Sequence, residues 1–458
     1  MKKYGVILLI LLLLLPAFCM QGFAETQGNG CKTLQADRAL TEEGYTGTAK
    51  AVILYEMNTQ TLVYAHNPDA SVNPTGLTKL LTALIVLEEG NLNDVVTVKQ
   101  SVLNMVSAGA KRIGLKAKDQ LTVEDLLYCV MVSSANDAAV VLADHIAGSQ
   151  KAFVEKMNAR AATLGCTNTF FADVNGLEDD RQHATARELA MITQEALRNP
   201  KFAELFSAVN YQLPETVSCT RNLTSTNSMM NPDSSQYDVR ITGGKPSAAG
   251  SNDRSMICTA QTEEERYLCV VISVSDKNSN YTGTFKEIRN LLNFGFEDFS
   301  VQQVVGTEQP FGLYAVSGGE NDVVVGPDEA LYALLPTEFD PAKLLRLEDI
   351  PDVQTLRAPL PAGTTVGILR IYYNETIVGQ VNMLARHAVA AAGENIQILD
   401  STDSNSGVFG RILKWTGIIL LIVVVIAAAA ILILRQVNLS RYQKVRSRHA
   451  GAGERGEE

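Results

Sequence analysis

The chain has 458 residues, enough for two or three domains with a sizeable core. Its formal net charge of −11 at pH 7 argues against nucleic acid as a partner and against tight binding to anionic surfaces. No set of its cysteine and histidine residues has the spacing of metal ligands, so we expect no metal site.

Residues 1–24 have the pattern of a secretory signal peptide. Two lysines precede an apolar run, Val6–Leu15, and small residues then lead to a cleavage site after Ala24. Residues 25–47 are polar and rich in glycine, which predicts a linker.

The first predicted domain opens with two strands and a helix. Ala49–Tyr55 and Thr61–Tyr64 are apolar runs of strand length on either side of a polar turn. An apolar helix begins near Leu77, and Lys79 lies in its first turn, where the helix dipole disfavours a cation. The lysine of a Ser-x-x-Lys motif has this position, because one helical turn brings its amine to the serine hydroxyl. Here Gly76 stands where the serine is expected.

A second polar element interrupts the apolar stretch that follows. A helix is predicted to start at Thr122 with Asp125 as its capping partner, and it runs into Ser134-Ala135-Asn136. Polar side chains among so many apolar ones need hydrogen-bonding partners. Either Ser134 or Asn136 caps the next helix, Ala138–Ile146, or the two residues form a Ser-x-Asn element that lines a catalytic cleft.

The remaining elements of this domain follow in chain order. They are a helix at Ala152–Leu164, a helix at His183–Arg198, strands at Met256–Ala260 and Tyr267–Val274, and a helix at Thr284–Phe294. Cys258 and Cys269 flank the polar turn between the two strands, and they are either a cross-strand pair or two buried free thiols.

The C-terminal third contains a β-rich region and an apolar span. Residues 309–398 alternate in the manner of strands, and residues 399–414 are a polar linker. Residues 415–434 form an uncharged run long enough to cross a bilayer, and the tail at 435–458 is rich in arginine. Together with the signal peptide, this predicts a single-pass protein of the cell membrane with a large extracytoplasmic domain and a cytoplasmic C-terminus.

Several motifs in a fixed order carry a resemblance to a known family. They are Ser134-Ala135-Asn136-Asp137, Phe171-x-x-x-Asn175-Gly176-Leu177, His183-Ala184-Thr185-Ala186-Arg187-Glu188-Leu189 and Gly243-Gly244-Lys245. Residues 48–300 resemble the low-molecular-mass penicillin-binding proteins that act as serine-type D-alanyl-D-alanine carboxypeptidases. The resemblance implies an α+β fold, in which an antiparallel sheet is flanked by helices, with a small all-β domain at 309–398. It implies no metal and no organic cofactor.

The same resemblance implies roles for individual residues. The serine expected at position 76 would attack the D-Ala-D-Ala carbonyl, with Lys79 as general base. Ser134 would relay a proton and Asn136 would line the cleft, while Lys245 would orient the terminal carboxylate of the substrate.

Two of the three motifs depart from the family pattern. Gly76 removes the nucleophile, so no acyl-enzyme is expected. Lys245 is followed by Pro246-Ser247 in place of Thr-Gly, and proline lacks an N–H while serine adds bulk where a glycine admits substrate.

Three hypotheses for function remain open. The first is a membrane-tethered pseudoenzyme whose site for peptidoglycan stem peptides is weakened or lost. It would act by binding or scaffolding other wall-synthesis or sporulation proteins. The second is an active D-Ala-D-Ala carboxypeptidase with a non-standard nucleophile. The third assigns the function to the β-rich region or to the basic tail alone.

Overall fold

The structure is a computed structural model that describes residues 39–393. Within that range the described residues exclude 42–43, 178, 216–218, 220, 251–252, 276–280, 309 and 350–355. The predicted signal peptide, the 399–414 linker, the apolar span at 415–434 and the 435–458 tail lie outside the described residues. Within the described part of the chain, no helix combines the length and the apolar character that a membrane crossing requires.

The first part of the described chain holds eight helices among its described residues. They are α1 Thr78–Glu89, α2 Gln100–Leu103, α3 Val123–Val132, α4 Asn136–Ala147, α5 Gln150–Thr163, α6 Ala186–Leu197, α7 Pro200–Ser207 and α8 Thr282–Asp298. A short 3-10 helix, Thr75–Leu77, runs directly into α1.

Nine strands accompany these helices in the described residues. They are β1 Ala51–Glu56, β2 Thr61–His66, β3 Val95–Thr97, β4 Gln120–Thr122, β5 Asn210–Gln212, β6 Asn222–Thr224, β7 Ile241–Ala249, β8 Asp253–Gln261 and β9 Arg266–Ser275. Five of them form an antiparallel sheet in the order β2-β1-β9-β8-β7, which leaves β7 at one edge.

The main sheet is buried on both faces. Along β1, Ile53 and Tyr55 pack into the core shared with the helices α1, α3, α4 and α6, whereas Val52 and Leu54 pack into the core under α8. A strand covered on both faces is a continuous apolar run in sequence, and Ala51–Tyr55 has this pattern. The α+β fold with an antiparallel sheet flanked by helices is therefore confirmed.

The predicted start of α3 is confirmed in detail. Thr122 and Asp125 form a capping box, in which each side chain accepts a hydrogen bond from the other residue's backbone N–H. The capping interpretation of Ser134 and Asn136 is wrong, because Ala135 is the N-cap of α4 and no side chain caps that helix.

Two elements differ from the sequence prediction between residues 183 and 207. Helix α6 begins at Ala186 and not at His183, because the Thr185 hydroxyl caps it while His183 pairs with Phe170 in an isolated β-bridge. Helix α7 was not predicted, although Asn199 caps it and Pro200 occupies its first position, where proline is well tolerated.

Residues 299–385 add seven strands and a 3-10 helix. They are β10 Phe299–Val305, β11 Gly312–Tyr314, β12 Val323–Pro327, β13 Leu331–Pro336, β14 Leu344–Asp349, β15 Thr365–Tyr373 and β16 Thr376–Ala385, with the 3-10 helix at Pro341–Lys343. Five of them form a second antiparallel sheet in the order β11-β12-β16-β15-β14. The described residues between 39 and 389 belong to one compact unit, so a separate domain at 309–398 stays a prediction.

Candidate active site

Lys79 is buried in the first turn of α1, with 2% of its surface exposed. Its Nζ donates a hydrogen bond to Asn136 Oδ1 at 2.9 Å and a second, shorter one to the Asn175 carbonyl oxygen. Burial lowers the pKa of Lys79 to about 7; the Asp173 carboxylate opposes this shift and Lys111 adds to it. A large fraction of this amine is therefore neutral near pH 7, as a general base requires.

The loop that supplies the Asn175 carbonyl is itself fixed by hydrogen bonds and by close packing. The Asp173 carboxylate accepts hydrogen bonds from the backbone N–H groups of Asn175 at 3.0 Å and Leu177 at 2.9 Å. Gly176 has φ +75°, and a Cβ on it would lie 1.6 Å from the Thr75 carbonyl oxygen. Only glycine fits here, so the Asn175-Gly176-Leu177 motif packs against the backbone directly before position 76.

Ser134 and Asn136 lie at the corner between α3 and α4. Ser134 adopts a left-handed backbone with φ +54° and is partly exposed. Asn136 is buried; its Nδ2 donates to the Lys111 carbonyl at 2.9 Å, while its Oδ1 accepts from Lys79. The amide thus joins the lysine to the neighbouring loop, which explains why it is not a helix cap.

Asp137 fixes the loop on the other side of Asn136. Its buried carboxylate accepts hydrogen bonds from the backbone N–H groups of Ile113 at 3.2 Å, Gly114 at 2.9 Å and Leu115 at 3.0 Å. Three N–H donors satisfy a buried carboxylate well. The fourth residue of the Ser-Ala-Asn-Asp motif is therefore a positioning residue, a role that the sequence did not reveal.

Position 76 faces the cleft, although it carries no side chain. A Cβ built on Gly76 would lie 3.7 Å from Ser134 Oγ, so a serine there would point toward the expected proton relay. The same Cβ would lie 2.9 Å from Ser247 Oγ, which is closer than real Cβ contacts allow. Ser247 thus narrows the space that a nucleophile at position 76 would occupy.

Ser247 on the edge strand β7 causes this narrowing. It is 4% exposed, and its Oγ makes a short hydrogen bond with Thr75 Oγ1 that joins β7 to the 3-10 helix. From the sequence alone, Ser247 was predicted only to add bulk to the cleft. The Thr75–Ser247 contact was missed because the two residues are 172 positions apart.

Lys245 is also buried, with 1% of its surface exposed. Its Nζ donates to the carbonyl oxygens of Val130 at 3.0 Å and Met131 at 3.3 Å, at the C-terminal end of α3, where the helix dipole favours a cation. Burial lowers the pKa of Lys245 well below its usual range, and nearby Lys79 and Lys111 add to the effect. Its predicted role in orienting a carboxylate stays a prediction.

These positions define a class of protein. A lysine in the first helical turn after position 76, a Ser-x-Asn corner and a lysine on the edge strand of an antiparallel sheet are the arrangement of penicillin-binding acyl-transferases. Residues 38–276 match the family model described as D-alanyl-D-alanine carboxypeptidase. The chain belongs to the D-alanyl-D-alanine carboxypeptidase family of peptidoglycan metabolism, as the sequence motifs indicated.

Individual relatives agree with the family match. The chain is 28% identical over 376 residues to the D-alanyl-D-alanine carboxypeptidase DacA of Haemophilus influenzae, covering 80% of this chain and 88% of that protein. It is 24% identical over 400 residues to DacF of Bacillus subtilis, covering 86% and 96% of the two chains.

Solved structures share the fold. Penicillin-binding protein 5 from Haemophilus influenzae superposes with a TM-score of 0.62 at 24% identity, covering 76% of this chain and 100% of that one. A peptidoglycan synthesis regulatory factor (PBP3) from Streptococcus pneumoniae superposes with a TM-score of 0.61 at 23% identity, covering 75% and 100%. No group of histidine, cysteine, aspartate or glutamate side chains among the described residues is arranged to hold a metal ion.

Proposed function

We propose that this chain is a pseudoenzyme of the D-alanyl-D-alanine carboxypeptidase family, which acts in peptidoglycan metabolism by binding or scaffolding. One observation carries the proposal. Gly76 lies directly after Thr75, whose backbone packs against Gly176, and it faces Ser134, but it has no side chain that can attack a carbonyl. The partners we propose are peptidoglycan stem peptides, bound weakly or not at all, and other wall-synthesis or sporulation proteins.

The contact between Ser247 and Thr75 supports weak or lost substrate binding. In the family pattern a glycine on this strand admits the substrate beside the nucleophile, whereas here the Ser247 side chain is buried against the 3-10 helix. Pro246 next to it has no N–H to offer a peptide laid along the strand edge. On the same strand, Ser247 thus narrows the cleft and Pro246 removes a hydrogen-bond donor.

The proposed setting is the outer face of a cell membrane. It rests on sequence alone: a signal peptide at 1–24, an apolar span at 415–434 and an arginine-rich tail at 435–458 that stays cytoplasmic. Protease added to intact cells should remove the large domain and leave a small fragment containing the tail.

Covalent labelling with a fluorescent penicillin tests the absence of catalysis. The full-length protein in detergent is compared with its Gly76→Ser variant. No band on either the parent or the variant supports loss at both position 76 and the Ser247 wall. A band on the variant alone supports a cleft that lost only its nucleophile. A band on the unmodified chain contradicts the pseudoenzyme proposal.

The second candidate, an active carboxypeptidase with a non-standard nucleophile, is favoured by one observation. Ser247 Oγ lies 2.9 Å from where a Cβ at position 76 would be, so a hydroxyl does face this part of the cleft. Its hydrogen bond goes to Thr75 Oγ1, however, while the Lys79 amine is bound to Asn136 and Asn175. If the parent is acylated, mass mapping of the adduct to Ser247 and its loss in Ser247→Ala would establish this candidate.

A further inference from the structure

Two buried thiols face each other in the middle of the main sheet. Cys258 on β8 and Cys269 on β9 are direct partners in the antiparallel register, and both are fully buried. Both are free thiols in the structure. Directly opposite residues of antiparallel strands have Cα atoms roughly 4.5–5.5 Å apart. This separation lies inside the range of about 4.4–6.8 Å that a disulfide spans.

The pair lies one strand away from the cleft. In the register of the sheet, Gly244 on β7 is opposite Cys258, and Leu54 on β1 is opposite Cys269. A Cβ on Gly244 would lie 2.8 Å from Cys258 Cβ, so the edge strand rests directly on this cysteine. Because Gly244 adjoins Lys245, a bond between the two cysteines would stiffen the part of the sheet that carries the cleft lysine.

We propose that Cys258 and Cys269 form a cross-strand disulfide while the exported chain folds. The two thiols are oxidised by a small-molecule or protein disulfide of the external compartment. The S–S bond forms, the two protons and two electrons pass to the oxidant, and the oxidant is reduced to two thiols. The new bond closes the hairpin formed by residues 259–268 and fixes the register between β8 and β9.

The surroundings of the pair determine when the bond can form. Both cysteines belong to the core that packs under α8, with Leu291 and Leu292 of that helix in the same cluster. Burial raises the pKa of the Cys269 thiol well above its usual range, and Cys258 beside it raises it further. The reactive thiolate is therefore scarce once the sheet is covered. Oxidation precedes the docking of α8, and the finished bond is protected from reductants.

Differential alkylation of the refolded full-length chain tests the proposal without depending on export or on the absence of catalysis. The reduced, unfolded chain is refolded in detergent with a mixture of oxidised and reduced glutathione, and a second sample is refolded with reductant only. Free thiols are blocked with iodoacetamide in denaturant; disulfides are then reduced and labelled with N-ethylmaleimide. In the oxidised sample, Cys258 and Cys269 should carry N-ethylmaleimide, whereas Cys166 should carry iodoacetamide.

Thermal unfolding gives an independent readout. The oxidised chain should unfold roughly 5 °C above the reduced chain, as expected for a hairpin-sized loop. Cys258→Ala should abolish this difference, and Cys166→Ala, which also removes a buried thiol, should preserve it. The proposal would be overturned if Cys258 and Cys269 carried iodoacetamide in the oxidised sample, or if either of them formed a disulfide with a different cysteine. The labelling result on the unmodified chain stands even if a variant fails to fold.

Discussion

The two walls of the cleft differ in how far they follow the family pattern. On the helical wall, Lys79, Ser134 and Asn136 are present, and the lysine and the amide are held by hydrogen bonds. On the wall made by β7 and the 3-10 helix, Gly76 and Ser247 stand where the resemblance to the family predicts a serine and a glycine, and the two residues lie next to each other. The departures are thus concentrated at one contact and not spread through the site.

Under the pseudoenzyme proposal, the comparison offers a structural reason why Lys79 is present without a nucleophile at position 76. Removing the Lys79 amine would leave Asn136 Oδ1 and the Asn175 carbonyl without this donor in a buried environment, at a cost of about 1–3 kcal/mol for each group left unpaired. A serine at position 76 would make no comparable structural contact, because its side chain would only face the cleft. If the chain is a pseudoenzyme, as we propose, these hydrogen bonds give a structural reason for the helical wall to persist.

The first prediction concerns penicillin acylation when both Gly76 and Ser247 are changed. The Gly76→Ser variant carries a nucleophile whose Cβ lies 2.9 Å from Ser247 Oγ, whereas the Gly76→Ser/Ser247→Gly double variant relieves that contact. We expect the double variant to acylate at least about tenfold faster than Gly76→Ser, equivalent to roughly 1.4 kcal/mol of barrier. Ser247→Gly alone is the control and should not acylate. Equal rates for the single and double variants would show that Ser247 does not obstruct the cleft.

A second prediction concerns the support beneath the helical wall. Gly176→Ala should lower the free energy of unfolding by about 3 kcal/mol or more, because its Cβ would collide with the Thr75 carbonyl oxygen at 1.6 Å. Gly109→Ala is the matched control: it also has positive φ, +80°, but no atom lies within 4 Å of its Cβ. The Gly109→Ala variant should lose only about 1 kcal/mol of unfolding free energy, which is the cost of placing a side chain at positive φ. Denaturant unfolding measures both, and similar losses would contradict the proposed close packing.

The buried lysine of the helical wall predicts a pH dependence of stability. The pKa of Lys79 is about 7 in the folded protein, below its ordinary value, so between pH 7 and 10 the unfolded chain binds a proton that the folded chain has released. Stability should therefore rise with pH in this window, by at most about 1.4 kcal/mol per pH unit for this group. Lys245 contributes with the same sign, since burial lowers its pKa as well.

Lys79→Met isolates the contribution of Lys79 to this slope. Its unfolding free energy should rise less steeply between pH 7 and 10 than that of the parent, while the exposed-site variant Lys151→Met should keep the parental slope. Urea unfolding at several pH values measures the slopes. A slope unchanged by Lys79→Met would mean that the amine stays protonated in the folded protein.

The sequence was most informative where one local pattern decides the structure. The Thr122–Asp125 capping box lies within four consecutive residues, and β1 is apolar from Ala51 to Tyr55, so both were predictable. Contacts across the cleft were not, because Thr75 and Ser247 meet only through the fold. The carbonyl partners of Lys245 were hidden for the same reason, since backbone acceptors leave no trace in residue type.

The smallest expected effect tests whether the two ends of α3 are energetically coupled. Lys245 binds the carbonyl end of this helix, while Thr122 caps its start by accepting a hydrogen bond from the Asp125 N–H at 3.0 Å. Thr122→Ala should cost about 1 kcal/mol of unfolding free energy. Ser149→Ala, which removes the cap of α5, a helix without cleft residues, should cost a similar amount. Chemical denaturation measures both losses. If Thr122→Ala costs markedly more than Ser149→Ala, the start of α3 is coupled to the lysine at its end, and the helical wall unfolds as a single cooperative unit.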